Sequence, residues 1–165
     1  MATTYEPIAT NTLTSTSTSV SFTSIPGTYT DLICIISGRS SSGTNYYQFK
    51  FNSDTGSNYS RTAITGTGSS ATSERYSNET VAYPIITPIP TGTSEFDTSI
   101  IHIFNYSNTT TNKTFIGRGN NAASNVSATV GLWRSTSAIT QIDITPFTST
   151  FASGSTFTLY GIKAA

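Results

Sequence analysis

The chain of 165 residues is long enough for one domain with a real hydrophobic core, and 59 of those residues are Ser or Thr. Eight basic and eight acidic residues give a formal net charge of zero, which argues against nucleic-acid binding and against steering toward anionic membranes. Nine Tyr and nine Phe cluster with Val and Ile between Gly, Pro and Asn turns, so the composition favours β structure over disorder. The expected partners are therefore neutral surfaces of protein or sugar.

Residues 1–17 are polar and Thr-rich, and we predict that they form an extended N-terminal arm ahead of a single β-sandwich domain over 18–165. This start carries neither a basic segment nor an apolar run, and no window of the chain is apolar enough to span a membrane. We therefore expect synthesis in the cytoplasm and no membrane partner. The apolar residues of the arm that could dock on a neighbouring subunit are Tyr5, Pro7, Ile8 and Leu13.

Strand patterns follow the arm at fairly even spacing. Two almost continuously apolar runs, 32–36 and 100–104, are typical of strands covered on both faces or packed in an interface. Alternation of apolar and polar residues is clearest over 47–52, 141–145 and 155–160. The weaker strand candidates are 19–23, 59–65, 80–86, 113–117 and 126–133.

About eight to ten short strands with no helical stripe predict an all-β fold, an antiparallel jelly-roll-like β-sandwich. An immunoglobulin-like sandwich is the alternative, although it would leave two or three of these strands unused. The segment from Pro84 to Ser94 contains three prolines and is predicted to be an edge strand or a long loop.

Cys34 and His102 are each the only residue of their type, and both lie within apolar strand patterns. Cys34 is predicted to be a small buried hydrophobe, since a single cysteine forms no intrachain disulfide. His102 would be the base of any Ser-His-Asp hydrolase, but the chain has no Gly-x-Ser-x-Gly motif. We expect His102 to be hydrogen-bonded within the sheet or at a subunit interface, and we expect no enzyme activity, metal or cofactor.

Three further segments match parts of known sites. Gly117–Ala122 fits a relaxed dinucleotide-binding fingerprint, but no helix follows, so a turn is predicted. The loop around Asp54 offers several oxygens, which suit either a calcium ion or a hairpin turn capped by its carboxylate. Glu95 and Asp97 are close in sequence, but that spacing does not place them across a sugar as a glycosidase pair.

Aromatic residues provide the other candidate site. If several of them are exposed, they could form a platform on which sugars stack, whereas in a β-sandwich the same residues suit the core. They are Trp133, Tyr46, Tyr47, Tyr59 and Tyr106.

Four stretches carry a family resemblance: Thr28–Leu32, Phe51–Ser60, Gly131–Ser135 and Gly154–Ala165. They resemble the Ser/Thr-rich β modules of tailed bacteriophages, notably phages of cyanobacteria and other aquatic bacteria. The resemblance implies a virion-surface protein, either a capsid decoration (cement) protein that clamps neighbouring capsomers or a distal domain of a tail fibre. Both types tend to be homotrimers.

The leading expectation is a capsid decoration protein that binds the major capsid protein on the outer surface of the phage head as a trimer and stabilises the shell. A short module with only a short arm favours this role, because a fibre would carry a long shaft. The alternative is a tail-fibre or other tail receptor-binding protein that recognises host-surface glycan through the five aromatic residues named above.

Overall fold

The computed structural model describes residues 4–91 and 95–163, and within those ranges every regular element is a β-strand. A search of the same residues finds no helix with the length and apolar character needed to cross a membrane. In chain order the strands are β1 (Tyr5–Thr12), β2 (Val20–Phe22), β3 (Asp31–Ser37), β4 (Tyr47–Phe51), β5 (Tyr59–Gly66), β6 (Ala71–Glu79), β7 (Thr98–Phe104), β8 (Lys113–Asn121), β9 (Asn125–Trp133), β10 (Ile142–Pro146) and β11 (Thr156–Ile162).

The strands form two antiparallel sheets of very different size. The large sheet has eight strands in the order β1-β11-β3-β7-β8-β9-β5-β6, and the small sheet has three in the order β2-β10-β4. The two sheets pack their apolar faces together around one hydrophobic core. This confirms the predicted all-β antiparallel sandwich, whereas the jelly-roll topology is not confirmed.

Aromatic side chains dominate one end of the core, because both sheets direct rings into the space between them. The Phe51 ring of β4 lies 6.1 Å from Tyr59, 5.9 Å from Phe115 and 5.6 Å from Trp133, measured between ring centroids. Tyr59 and Trp133, paired across β5 and β9, are stacked at an interplanar angle of 15°. Such contacts add stability beyond the area they bury.

Most of the predicted strands are confirmed. One predicted strand is wrong, and two strands of the structure were not predicted. β1 and β6 are the edge strands of the large sheet, and exposed edges need few apolar residues, so neither shows a clear alternation. The strand predicted over 80–86 is absent from this described segment, which contributes only an isolated bridge between Ala82 and Phe49. β8 continues past its predicted end to Asn121.

The predicted arm is extended, but Tyr5–Thr12 is paired with β11 of its own chain as the edge of the large sheet. A β-bulge between Pro7 and Ala9 interrupts this pairing. Ile8 and Leu13 pack against the core of the same chain, while Tyr5 and Pro7 are exposed. The boundary predicted at residue 17 therefore cuts the sheet, and docking of Tyr5 and Pro7 on a neighbour stays a prediction; residues 1–3 lie outside the described ranges.

The turn predicted at Gly117–Ala122 is wrong, since β8 runs through most of it. The glycine at 117 has a packing role instead: a Cβ there would lie 1.8 Å from the carbonyl oxygen of Pro84. Only glycine lets the segment after β6 lie this close to the inner face of β8. That segment has no regular strand between 84 and 91, as the loop alternative predicts, and residues 92–94 lie outside the described part of the chain.

Candidate functional site

The large sheet has an outer face, defined here as the face directed away from the small sheet, and it is rich in exposed apolar side chains. Val126 is 57% exposed, Val130 54%, Ile116 46% and Ile64 61%, in strands whose other faces are buried. Half-exposed aliphatic residues are ordinary when scattered singly, but a contiguous group marks an interaction surface. The apolar members of the outer face are Ile33, Ile35, Ile64, Ile100, Phe104, Ile116, Val126, Ala128, Val130 and Leu132.

Strand register makes these residues contiguous. One row runs from Val130 to Ile116, His102 and Ile33 across β9, β8, β7 and β3. The parallel row beside it contains Ile64, Ala128, Arg118, Ile100 and Ile35. The five strands that carry these residues, about 4.8 Å apart and about seven residues long, give a sheet face of roughly 600 Å² when its polar positions are counted with the apolar ones.

The charged groups on this face are few. His102 Nε2 lies 3.1 Å from Asp31 Oδ2, and the backbone N–H of Asn105 donates to Asp31 Oδ1 at 2.7 Å. The imidazole also lies against the ring of Phe104, with centroids 4.0 Å apart. His102 is thus hydrogen-bonded within the sheet, as predicted. Two exposed cations also lie on this face, Arg118 in its middle and Arg75 on β6 beside the outward-directed Thr62.

The outward face of the small sheet is polar by contrast. Asp143 accepts hydrogen bonds from Ser21 at 2.7 Å, from Ser53 at 3.0 Å, and from Gln141 at 2.8 and 2.9 Å. Partial burial opposes ionisation of Asp143, but these bonds and the charge of Lys50 outweigh it and lower its pKa. The carboxylate therefore holds together a hydroxyl and amide network on this surface.

Four of the five aromatic residues considered for a sugar-stacking platform lie in the core, as the alternative of a core role predicts. Tyr47, Tyr59 and Tyr106 have no exposed surface, and Trp133 is 2% exposed. Their rings fill the space between two sheets, where large aromatic side chains bury the most area. Tyr46 differs, because it is partly exposed beside Phe147, with ring centroids 6.4 Å apart.

Tyr46 is one of the residues that line a groove of about 350 Å³, which we call the Arg61 groove. Tyr46, Tyr83 and Phe147 form its aromatic wall, and Arg61 and Glu74 form its charged wall. These residues come from β5, β6 and the segments flanking the small sheet, so no local pattern in the sequence brings them together. Threonine and isoleucine residues complete the lining: Thr65, Thr72 and Ile86.

The two carboxylates considered as a glycosidase pair lie in different environments. Glu95 is exposed, whereas Asp97 is 1% exposed and accepts hydrogen bonds from Tyr47, Gly38 and Ser99 at 2.7–3.0 Å. Burial raises the pKa of Asp97 to about 6 despite these three bonds. Asp97 thus belongs to the interior and reaches no open cleft with Glu95.

The Asp54 loop is a turn capped by its carboxylate, as one of its two interpretations predicts. Gly56 N–H donates to Oδ1 at 2.8 Å, while Asn58 and the indole N–H of Trp133 donate to Oδ2 at 2.9 and 2.6 Å. Burial opposes ionisation, but these bonds prevail and lower the pKa of Asp54. Cys34 is buried as predicted, and burial raises the pKa of its thiol to about 12.

Within residues 4–91 and 95–163, no group of three or more His, Cys, Asp and Glu side chains is placed to hold a metal ion. The outer face and the Arg61 groove are therefore the surfaces whose geometry suggests a function. In comparisons with known proteins, the chain matches no protein-family model and no curated protein sequence.

Proposed function

We propose that the protein is a structural component of a phage virion, a capsid decoration protein whose outer face is covered by neighbouring copies of the same chain. The observation that carries this proposal is the contiguous apolar outer face of the large sheet. The number of copies, three, and the attachment to the major capsid protein come from the sequence resemblance described above. The resemblance alone suggests the phage head as the location.

The size and character of the outer face support a permanent contact. A standard interface buries about 800 Å² on each partner, and the outer face of roughly 600 Å², extended by the adjoining Tyr5 of β1, approaches that value. Permanent interfaces between copies are also more apolar than the rest of a protein surface. The outer face has this character around its two exposed cations, Arg118 and Arg75.

A second copy explains the outer face better than the capsid shell does. A decoration protein is synthesised before it meets the shell, and during that time an uncovered face of this size would promote aggregation. Contact between copies covers the face from the start. The zero net charge of the chain means that copies do not repel one another.

The test is a cryo-electron microscopy reconstruction of the particles that carry this chain. We expect β-sandwich density in groups of three on the outside of the head, with the large sheets facing one another. Density on the tail would overturn the decoration role and favour the alternative of a tail protein. Heads that resist heat equally well after the protein has been stripped would contradict a stabilising function.

A further inference from the structure

The Arg61 groove lies on the opposite side of the large sheet from the outer face, because Arg61 and Thr65 alternate with the outward-directed Thr62 and Ile64 along β5. It is therefore independent of the proposed contact between copies. Its volume of about 350 Å³ falls within the range of about 300–1,000 Å³ that is typical of small-molecule sites.

The aromatic wall of the groove is built from rings that are not part of the core. Phe147 is 51% exposed, and its ring lies at 60–66° to the rings of Tyr83 and Tyr46, with centroids 6.5 and 6.4 Å away. The Tyr83 hydroxyl is held by Gln48, whose amide donates to it at 2.6 Å. The backbone N–H of Phe147 donates to the Tyr46 carbonyl at 3.1 Å, so the backbone segments that carry the two rings are joined.

The charged wall is equally fixed. The Arg61 guanidinium lies between the rings of Tyr76 and Tyr83, 4.5 and 4.7 Å from their centroids. It donates two hydrogen bonds to Glu74 Oε1, at 3.1 and 3.2 Å, and one to Glu79. The Arg61 side chain is only 10% exposed, so the wall is pre-organised.

The charges of this wall indicate which ligands it suits. Arg61 is already paired with two carboxylates, so the groove offers no uncompensated cation to a phosphate, sulfate or carboxylate group. The Glu74 side chain is 36% exposed, which leaves its carboxylate within reach of a ligand that donates hydrogen bonds. Hydroxyl groups of Thr65 and Thr72 add donors and acceptors along the same groove.

From these features we propose that the Arg61 groove binds a neutral saccharide of one or two rings. The apolar C–H face of a pyranose would pack on the aromatic wall, and its hydroxyls would donate to Glu74 and exchange hydrogen bonds with the threonines. Of the five aromatic residues that the sequence suggests as a sugar platform, only Tyr46 lines this groove; the other four are buried in the core. It adds a ligand site to the proposed structural role.

The experiment measures binding of the full chain to a glycan array, followed by saturation-transfer NMR with methyl glycosides of glucose, galactose, mannose and N-acetylglucosamine. Glucuronic acid and N-acetylneuraminic acid serve as the anionic probes. The test variant is Phe147→Ala, which truncates an exposed ring of the groove. The matched control is Phe96→Ala, because Phe96 is a comparably exposed ring (42%) that lies outside the groove.

We expect at least one neutral glycoside to bind in the millimolar range, and we expect Phe147→Ala to weaken it about tenfold while Phe96→Ala leaves it within about twofold. Glu74→Gln keeps the shape of the wall and is expected to weaken binding about fivefold, which provides a second readout if Phe147→Ala fails to fold. Failure of every neutral glycan to bind would overturn the proposal. Stronger binding of the anionic probes, or equal effects of Phe147→Ala and Phe96→Ala, would also overturn it.

Discussion

The two outward surfaces of the sandwich differ in the residues they expose: the small sheet exposes polar side chains, whereas the large sheet exposes apolar ones. On the small sheet, Asp143, Gln141 and Ser21 face outward and the apolar residues of β10 face the core. On the large sheet, β9 directs Val126 and Val130 outward. Apart from Trp133 at the end of the strand, the buried residues of β9 that face the core are small or polar: Ser127, Thr129 and Gly131.

The outward direction of the valines in β9 has a structural cause. The space on the core side of β9 is already occupied by the Phe115 ring. A Cβ on Gly131 would lie only 1.9 Å from the nearest atom of that ring. Thr87, in the segment after β6, donates to Ser127 Oγ at 2.8 Å and fills the adjacent space. Small residues are required inside, so the branched residues that give β9 its strand propensity face outward. The difference between the surfaces indicates that one faces water and the other a partner.

The largest expected effect comes from placing a charge on each surface in turn. Val130→Asp would bury an unpaired carboxylate at the centre of the outer face, which costs about 2–5 kcal/mol at an interface. We therefore expect association between copies to weaken at least about 30-fold. The side chain is 54% exposed, so the fold of each copy should survive. Sedimentation equilibrium over a range of protein concentrations measures this effect.

Thr145→Asp on β10 is the control for that variant. Thr145 lies on the outward surface of the small sheet, where its hydroxyl donates to Gln48 at 3.4 Å. A carboxylate there stays in water, so the oligomer mass should equal that of the wild type. If the oligomers of Val130→Asp and of Thr145→Asp both have the mass of the wild-type oligomer, the outer face is not the contact between copies.

The next largest effect is the pH dependence of stability that comes from Asp97, whose carboxylate is buried between the two surfaces. Its pKa of about 6 in the folded chain exceeds the value of about 3.9 in an unfolded chain, so folding takes up a proton in this range. The resulting stability is fully present below about pH 4 and is lost as the pH rises through about 6. The total change is about 3 kcal/mol at 1.36 kcal/mol per pKa unit.

Urea unfolding of Val130→Asp between pH 4 and 8 measures this change without a contribution from association. Adding Asp97→Asn should remove most of the decline, because the amide does not titrate. Burial also raises the pKa of Glu79, and this group accounts for a smaller decline of the same sign. An undiminished decline in the double variant would show that Asp97 is not its source.

The sequence predicts the sandwich itself but only part of its surfaces. Alternation over 47–51 and 156–160 is clear because those strands have one buried and one wetted face. The continuous apolar runs at 32–36 and 100–104 predict strands with two covered faces or an interface, and Ile35 and Ile100 do lie on the outer face. These two runs are thus the sequence signal for that face.

The remaining features depend on tertiary contacts that no local pattern contains. The alternation in β9 cannot indicate which set of residues faces the core, because that depends on Phe115 and Thr87 from elsewhere in the chain. The Arg61 groove combines residues more than 80 positions apart, such as Arg61 and Phe147. Edge strands β1 and β6 are held by backbone pairing, which nearly any sequence can provide.

The smallest expected effect concerns the polar surface and has the opposite pH dependence from Asp97. Hydrogen bonds to the Asp143 carboxylate lower its pKa, so its stabilising contribution is present above the unfolded value of about 3.9 and is lost as the pH falls through its lower folded value. Asp143→Asn should therefore cost about 1 kcal/mol at pH 7, and the loss should vanish near pH 2. Thermal unfolding at the two pH values measures this difference. Because the network lies on the small sheet, the oligomer mass should not change; a change in mass would mean that this surface also carries a contact between copies.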